Sequence, residues 1–184
     1  MGALIHKVSL KSYICFTNLW VQLSLLVISY RIHRAPAVLT LHLANWIQLD
    51  LLSVAWDFQV DSLSGIMLVI IAIISGIVNF YSLDYMYGDA HSNQFMGLFD
   101  IFAFAINGLV MSNNLGVLFF SWELVGLCSY LLICFWRERQ QSLRSGFKAV
   151  LYNKVGDGFL LLAIGSAIEI IKTFDLDFSS LLLP

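Results

Sequence analysis

Four charged side chains lie inside stretches of sequence that are otherwise suited to hydrocarbon. Glu123 sits in "LFFSWELVGLCSYLLI" (118–133), Lys154 and Asp157 in "YNKVGDGF", and Asp100 in "MGLFDIFAF". An ionised group near the middle of a membrane span is costly unless it is paired, hydrated or protonated. Glu123 stands eighth in the apolar window 116–136, too deep for so short a side chain to reach the surface. A carboxyl held there can take up and release a proton as a nearby cation moves, which suits proton or ion transfer. The plainer alternative is a protonated Glu that only hydrogen-bonds one helix to another.

Lys154 and Asp157 are three apart, which puts them on one helical face within ion-pair reach. They form either a second charged site or a local pair that neutralises itself. Gly156 and Gly158 flank Asp157 and predict close approach of a neighbouring backbone, hence a partner for Asp157 nearby. Asp100 has no cation near it in sequence, so it is protonated, faces a hydrated cavity or pairs with another helix. Lys148, at the start of the Lys154 stretch, is a further candidate for the same charge network.

The elements that must hold these residues are membrane helices. The chain has 184 residues, 59% of them hydrophobic, with 12% charged and a mean hydropathy of +0.82. A net charge of −2 gives no indication of a nucleic-acid partner. About 20 apolar residues cross a bilayer core, and windows at 12–30, 62–81, 95–111, 116–136 and 149–171 meet or approach that length. The fold class read here is an all-α membrane protein with about five transmembrane helices. "SNN" (112–114) predicts a tight turn between the third and fourth helices. Residues 1–30 form the N-terminal segment and first helix, 31–61 an extramembrane loop, and 62–184 four further helices. In that loop "LTLHLANWIQL" and "VAWDFQVD" alternate with period two, so a β-hairpin on the membrane surface is expected, with Trp46 and Trp56 at the interface.

Lys7, Lys11, Arg137, Arg139, Arg144 and Lys148 fall on one side, and Arg31, Arg34 and Lys172 on the other. Six against three puts the N-terminus and a solvated loop at 137–148 inside and the hairpin outside. Glu169, near the outer end of its helix, can reach water. Cys15, Cys128 and Cys134 lie in apolar stretches with no zinc or disulfide spacing and read as small buried hydrophobes. The many Phe and Trp residues read as lipid-facing and packing groups. The N-terminal lysines precede an apolar run too long for a signal peptide and without a cleavage site, and "MG" lacks the Ser or Thr at position 6 that myristoylation prefers. No Gly-rich phosphate loop and no Cys or His cluster for haem or an iron–sulfur centre occurs.

Three segments resemble a known family. "WDFQVDSLSGIML" (56–68), "NNLGVLFFSWELVGLCSYLLICFW" (113–136) and "KAVLYNKVGDGFLLLAI" (148–164) occur in the order found in NADH dehydrogenase subunit 5, the antiporter-like subunit of respiratory complex I related to Mrp-type sodium/proton antiporters. The resemblance runs from about residue 46 to the end. It implies that Glu123 matches the family's key glutamate, which faces a lysine on a later helix. It also implies that Asp157 matches an acid of the next helix and that Lys154 stands where Arg is common. The fold implied is part of an antiporter-like inverted repeat, with the N-terminus on the matrix side of the mitochondrial inner membrane or, alternatively, in a bacterial plasma membrane. Departures are Asn113 for Asp, Asp100 at a usually uncharged position, Leu124 for Gly, and one span before residue 31 where the family has two.

The family's later helices are not in this sequence. The expectation is therefore the N-terminal piece of a split or truncated subunit, completed by a second chain that brings the lysine, among other membrane-arm subunits and lipids. NADH, FMN, iron–sulfur clusters and ubiquinone are expected to bind elsewhere in the complex, with no cofactor in this chain. The alternatives are a fragment of an Mrp-type cation/proton antiporter and a purely structural subunit.

Overall fold

The computed structural model describes residues 19–32, 34, 38–49, 52–171 and 176. Residues 1–18, among them Lys7, Lys11 and Cys15, and Lys172 lie outside the described residues. The described elements run α1 (Leu19–Ile32), β1 (Leu39–Leu49), β2 (Leu52–Val60), α2 (Ser62–Tyr85), α3 (Ser92–Met111), α4 (Leu115–Ile133) and α5 (Gln140–Ile171). Among the described residues α2, α3 and α4 are long and apolar enough to cross a membrane. The described part of the first expected span is the shorter apolar helix α1. At 32 residues α5 is longer than a span needs, but Lys154, Asp157 and Glu169 interrupt its apolar run.

The side chains are distributed for lipid. On α2 the buried positions are Gly65, Leu68, Ala72, Ser75, Asn79 and Ser82, a stripe at three- and four-residue spacing in which only Leu68 is a large apolar residue. Ile66, Ile70, Ile73, Ile77 and Phe80 of the same helix are exposed. In water this arrangement would be inverted. In a bilayer small residues belong between helices, because lipid tails solvate large apolar groups as well as another helix does.

Successive helices run antiparallel. The Ser29 hydroxyl donates to the Gly65 carbonyl at 2.6 Å, joining α1 to α2, and a Cβ at Gly65 would lie 3.3 Å from Ser29 Oγ, so that contact needs a small residue. Asn79 of α2 meets Asp100 of α3, and Gly108 of α3 meets Ser121 of α4. Ile32, Val60 and Leu68 form a buried apolar cluster where α1, β2 and α2 converge.

The expected hairpin is present, with antiparallel pairing from Leu39↔Val60 to Leu49↔Leu52 and register shifts on either side of Asn45. It is fixed to the helical bundle. Phe58 bridges Ser112, the Asn113 N–H donates to the Asp57 carbonyl at 3.1 Å, and the Leu176 N–H donates to the Asn113 carbonyl at 2.9 Å. The "SNN" turn thus carries both the α3–α4 reversal and the hairpin's anchor. Asn114 caps α4 by accepting the Gly116 N–H at 2.8 Å. Asp61 caps α2 through a reciprocal pair with Ser64 at 2.7 Å each way. The Asp61 carboxyl is held below the usual carboxylate range, chiefly by the Ser64 N–H and then by the Ser64 hydroxyl, which donates to Oδ1 at 2.7 Å. At the other end of the bundle Gly88 takes φ +84° between α2 and α3, a conformation glycine adopts without steric cost.

One expectation is corrected. The segment read as a loop over 137–148 is helical from Gln140 onward. Gln, Leu, Arg and Lys have high helix propensity, so the segment's polarity marked its exposure and not its backbone state.

Candidate functional site

The contact between α4 and α5 brings three of the singled-out residues together. Lys154 Nζ bonds Glu123 Oε2 across the two helices and lies 3.3 Å from Asp157 Oδ2 on its own helix. The remaining Asp157 oxygen, Oδ1, accepts the Trp122 indole N–H at 2.9 Å. The side chains differ in exposure, at 9% for Asp157, 31% for Glu123 and 57% for Lys154. Glu123, expected to be buried, is therefore only half-buried within this chain, and Asp157 is the buried acid. A cavity of about 570 Å³ is lined by Glu123, Lys154 and Asp157 together with Asn153, Tyr130 and Phe147. Glu123 also lines a smaller cavity of about 310 Å³ beneath Trp46 and Val54 of the hairpin. Trp46, Trp56 and Phe120 pack there, with ring centroids 5.1–6.1 Å apart.

The cation for Glu123 was expected from outside this sequence, whereas Lys154 of the same chain supplies one. A partner 31 positions away on the next helix leaves no periodic trace. The i,i+3 pair of Lys154 and Asp157 forms as the spacing indicated. The close approach expected at Gly156 and Gly158 is not made by described residues, since a Cβ at either would meet nothing within 4 Å. Asp157 finds its partner laterally, in Trp122. Trp122 was read as a packing residue, although an indole N–H in hydrocarbon must find an acceptor, and "SWEL" places it beside the acid.

Lys148 and Glu169 are exposed on α5. Asp100 does not join this cluster. It accepts the Asn79 amide at 3.5 Å and lines a different cavity, of about 670 Å³, between α1, the hairpin and α3. A further pair that only strand register could reveal joins His42 Nδ1 to Asp57 Oδ1 at 2.5 Å across the hairpin.

One ammonium between two carboxylates can compensate only one of them at a time. Asp157 is engaged on both oxygens, by the Trp122 indole and by Lys154, and is shut away from water. Glu123 is held through one oxygen and lines two cavities.

Comparisons with known proteins assign a row of antiparallel helices with this charge cluster to an antiporter-like family. Residues 112–183 match the family described as NADH:quinone oxidoreductase/Mrp antiporter, transmembrane, and residues 46–96 match the complex I chain 5 N-terminus. NADH-ubiquinone oxidoreductase chain 5 of Dictyostelium citrinum is 40% identical over 153 residues, 83% of this chain and 23% of the relative. That of Triticum aestivum is 39% identical over 150 residues, covering 82% and 22%. That of Talaromyces marneffei is 42% identical over 125 residues, covering 68% and 19%. A chain in the structure of the membrane-bound sulfane sulfur reductase, an archaeal respiratory membrane complex, superposes with a TM-score of 0.69 at 11% identity, over 95% of this chain and 39% of that one. The chain belongs to the NADH-ubiquinone oxidoreductase chain 5 family. It spans about a fifth of the length of the curated relatives it matches.

Proposed function

We propose that this chain is a membrane-arm subunit of a proton-pumping NADH:ubiquinone oxidoreductase in which Glu123 carries a proton, Lys154 switches between two carboxylates, and Asp157 is the fixed anion. The observation that supports it most is the cluster itself, an ammonium between two acids at a helix–helix contact in a chain 5 family member. Coupling is electrostatic: displacement of the Lys154 ammonium toward Asp157 leaves Glu123 to be neutralised by a proton, and its return expels that proton. Redox chemistry driving the displacement takes place elsewhere in the complex, where NADH, FMN, iron–sulfur clusters and ubiquinone bind. In this reading the chain itself supplies no cofactor site.

The half-buried Glu123 and the exposed apolar face of α5 are consistent with further helices packing over the cavity. In this reading a second chain brings them, with other membrane-arm subunits and lipid around the pair. The relatives being eukaryotic supports the mitochondrial inner membrane.

Purification of the tagged chain from solubilised membranes tests the assignment. Flavin- and iron–sulfur-containing subunits and a chain with later antiporter-like helices are expected to accompany it. The family description also covers Mrp antiporters. If cation-driven proton movement is found without the redox subunits, that second reading replaces the first.

A further inference from the structure

The two cavities that Glu123 lines extend in opposite directions along α4. The cavity shared with α5 follows α4 from Phe120 through Glu123 to Tyr130, three residues before the helix ends at Ile133. The cavity beneath the hairpin follows α4 from Glu123 back through Phe120 to Gly116, the second residue of the helix, under Trp46 and Val54. Glu123 is seven residues, or about 10 Å, from either limit. Lys154 and Asp157 line the first cavity and not the second, whereas the hairpin lines the second and not the first. The first leads toward the end of α4 that Arg137 and Arg139 follow, and the second toward the hairpin, so the charge bias puts their far ends on opposite faces of the membrane.

The residues common to both cavities are Glu123 and Phe120, which lies one turn before it on the same helical face. The Phe120 ring stands edge-on to both hairpin tryptophans, with centroids 6.1 Å from Trp46 and 5.2 Å from Trp56. It therefore sits between the acid and the hairpin end of the second cavity. Among the described residues Glu123 is the one charged side chain that lines this cavity, and an apolar constriction of that kind holds back water, and protons with it, until it is displaced. On the other side the barrier is Lys154, whose ammonium stands in the α5 cavity when it bonds Glu123.

We propose that Glu123 is reached from opposite faces of the membrane through these two cavities, and that Phe120, held by Trp46 and Trp56, is the gate on the hairpin side. This rests on the proton-carrying reading of Glu123. A proton passes from water in the α5 cavity to the Glu123 carboxylate while Lys154 is drawn toward Asp157. The returning ammonium blocks that cavity, and the proton leaves to water on the hairpin side as the Phe120 ring turns aside. Phe120 is a positioning residue that exchanges no proton itself.

Sealed membranes carrying the assembled protein test this without NADH, through the rate at which an imposed pH gradient collapses. Phe120→Ala removes the ring and is expected to speed the collapse several-fold, and Phe120→Leu, a smaller plug, to speed it less. Adding Glu123→Gln to Phe120→Ala is expected to remove the increase. A second measurement decides if Phe120→Ala does not accumulate. Phe119→Cys places a thiol on the hairpin cavity and Tyr130→Cys places one on the α5 cavity. With NADH supplied, a small, charged, membrane-impermeant thiol reagent is added to one face at a time, and the adducts are read by mass spectrometry. Each cysteine is expected to react from one face, and the two from opposite faces. The proposal is overturned if Phe120→Ala collapses the gradient at the wild-type rate, or if its leak survives Glu123→Gln. It is also overturned if either cysteine fails to react or both react from the same face. Failure of the gate leaves the loss of pumped protons in Glu123→Gln intact, whereas a Glu123 that carries no proton leaves pumping in that variant unchanged, so the two readings fail separately.

Discussion

Trp122→Phe removes the indole N–H with the five-membered ring that carries it and keeps a six-membered ring to pack, on a side chain that is 48% exposed. Asp157 Oδ1 then loses the N–H that now reaches it at 2.9 Å. Because the Asp157 side chain is 9% exposed, water cannot readily take the donor's place. A hydrogen bond to a charged acceptor is worth about 1.5–3 kcal/mol. For a chain of this size each kcal/mol corresponds to about 2–4 °C in melting temperature, so a fall of about 3–12 °C is expected. Intact membranes heated in steps, with the chain remaining soluble quantified by mass spectrometry, give that temperature for wild type and variant. The bond also predicts non-additivity. After Asp157→Leu the Trp122 N–H has already lost its acceptor, so adding Trp122→Phe should cost little more. If Trp122→Phe melts with wild type, or if the two substitutions add in full, the Trp122–Asp157 bond is not part of what holds α4 to α5.

Other substitutions probe the remaining contacts. A Cβ at Gly116 would lie 2.8 Å from Val54 Cγ1, so Gly116→Ala should destabilise the seat of the hairpin by about 1–3 kcal/mol, with Val54→Ala restoring it, read as protease sensitivity of residues 39–60. Asp61 has a lowered pKa in the folded state, so the stability it adds is present above its unfolded value of about 3.9 and is lost as pH falls through the folded value. Asp61→Asn, which keeps an N-cap acceptor, should abolish that pH dependence of melting; a melting curve that falls identically in acid would contradict it. Lys154→Met leaves two carboxylates uncompensated and should destabilise more than Lys154→Met with Asp157→Asn. Equal melting temperatures would mean that the ion pair carries no weight.

The legibility of this molecule in its sequence followed local periodicity. The alternation in "LTLHLANWIQL" marked β1, and long, mostly apolar runs marked α2 and α4, because those patterns repeat within the element itself. The Lys154–Asp157 pair was legible for the same reason, as one helical turn separates its members. What needed the third dimension was hidden. The start of α5 looked like a loop, since polarity records exposure for helix and loop alike. The Glu123–Lys154 bond and the role of Trp122 depend on how two helices are rotated against one another, and the His42–Asp57 pair depends on register. The polar stripe of Ser75, Asn79 and Ser82 escaped notice inside the most apolar segment of the chain because large residues outnumber it on the lipid side.

The proton-carrying role of Glu123 is tested most directly by protons moved per NADH oxidised in sealed membranes bearing Glu123→Gln. Gln keeps the length of the side chain and an oxygen for Lys154 but cannot exchange a proton. With the subunit present at wild-type abundance, the stoichiometry should fall, and Glu123→Asp should restore part of it. An unchanged stoichiometry in Glu123→Gln would make the cluster a structural ion pair and the chain a scaffold of the membrane arm.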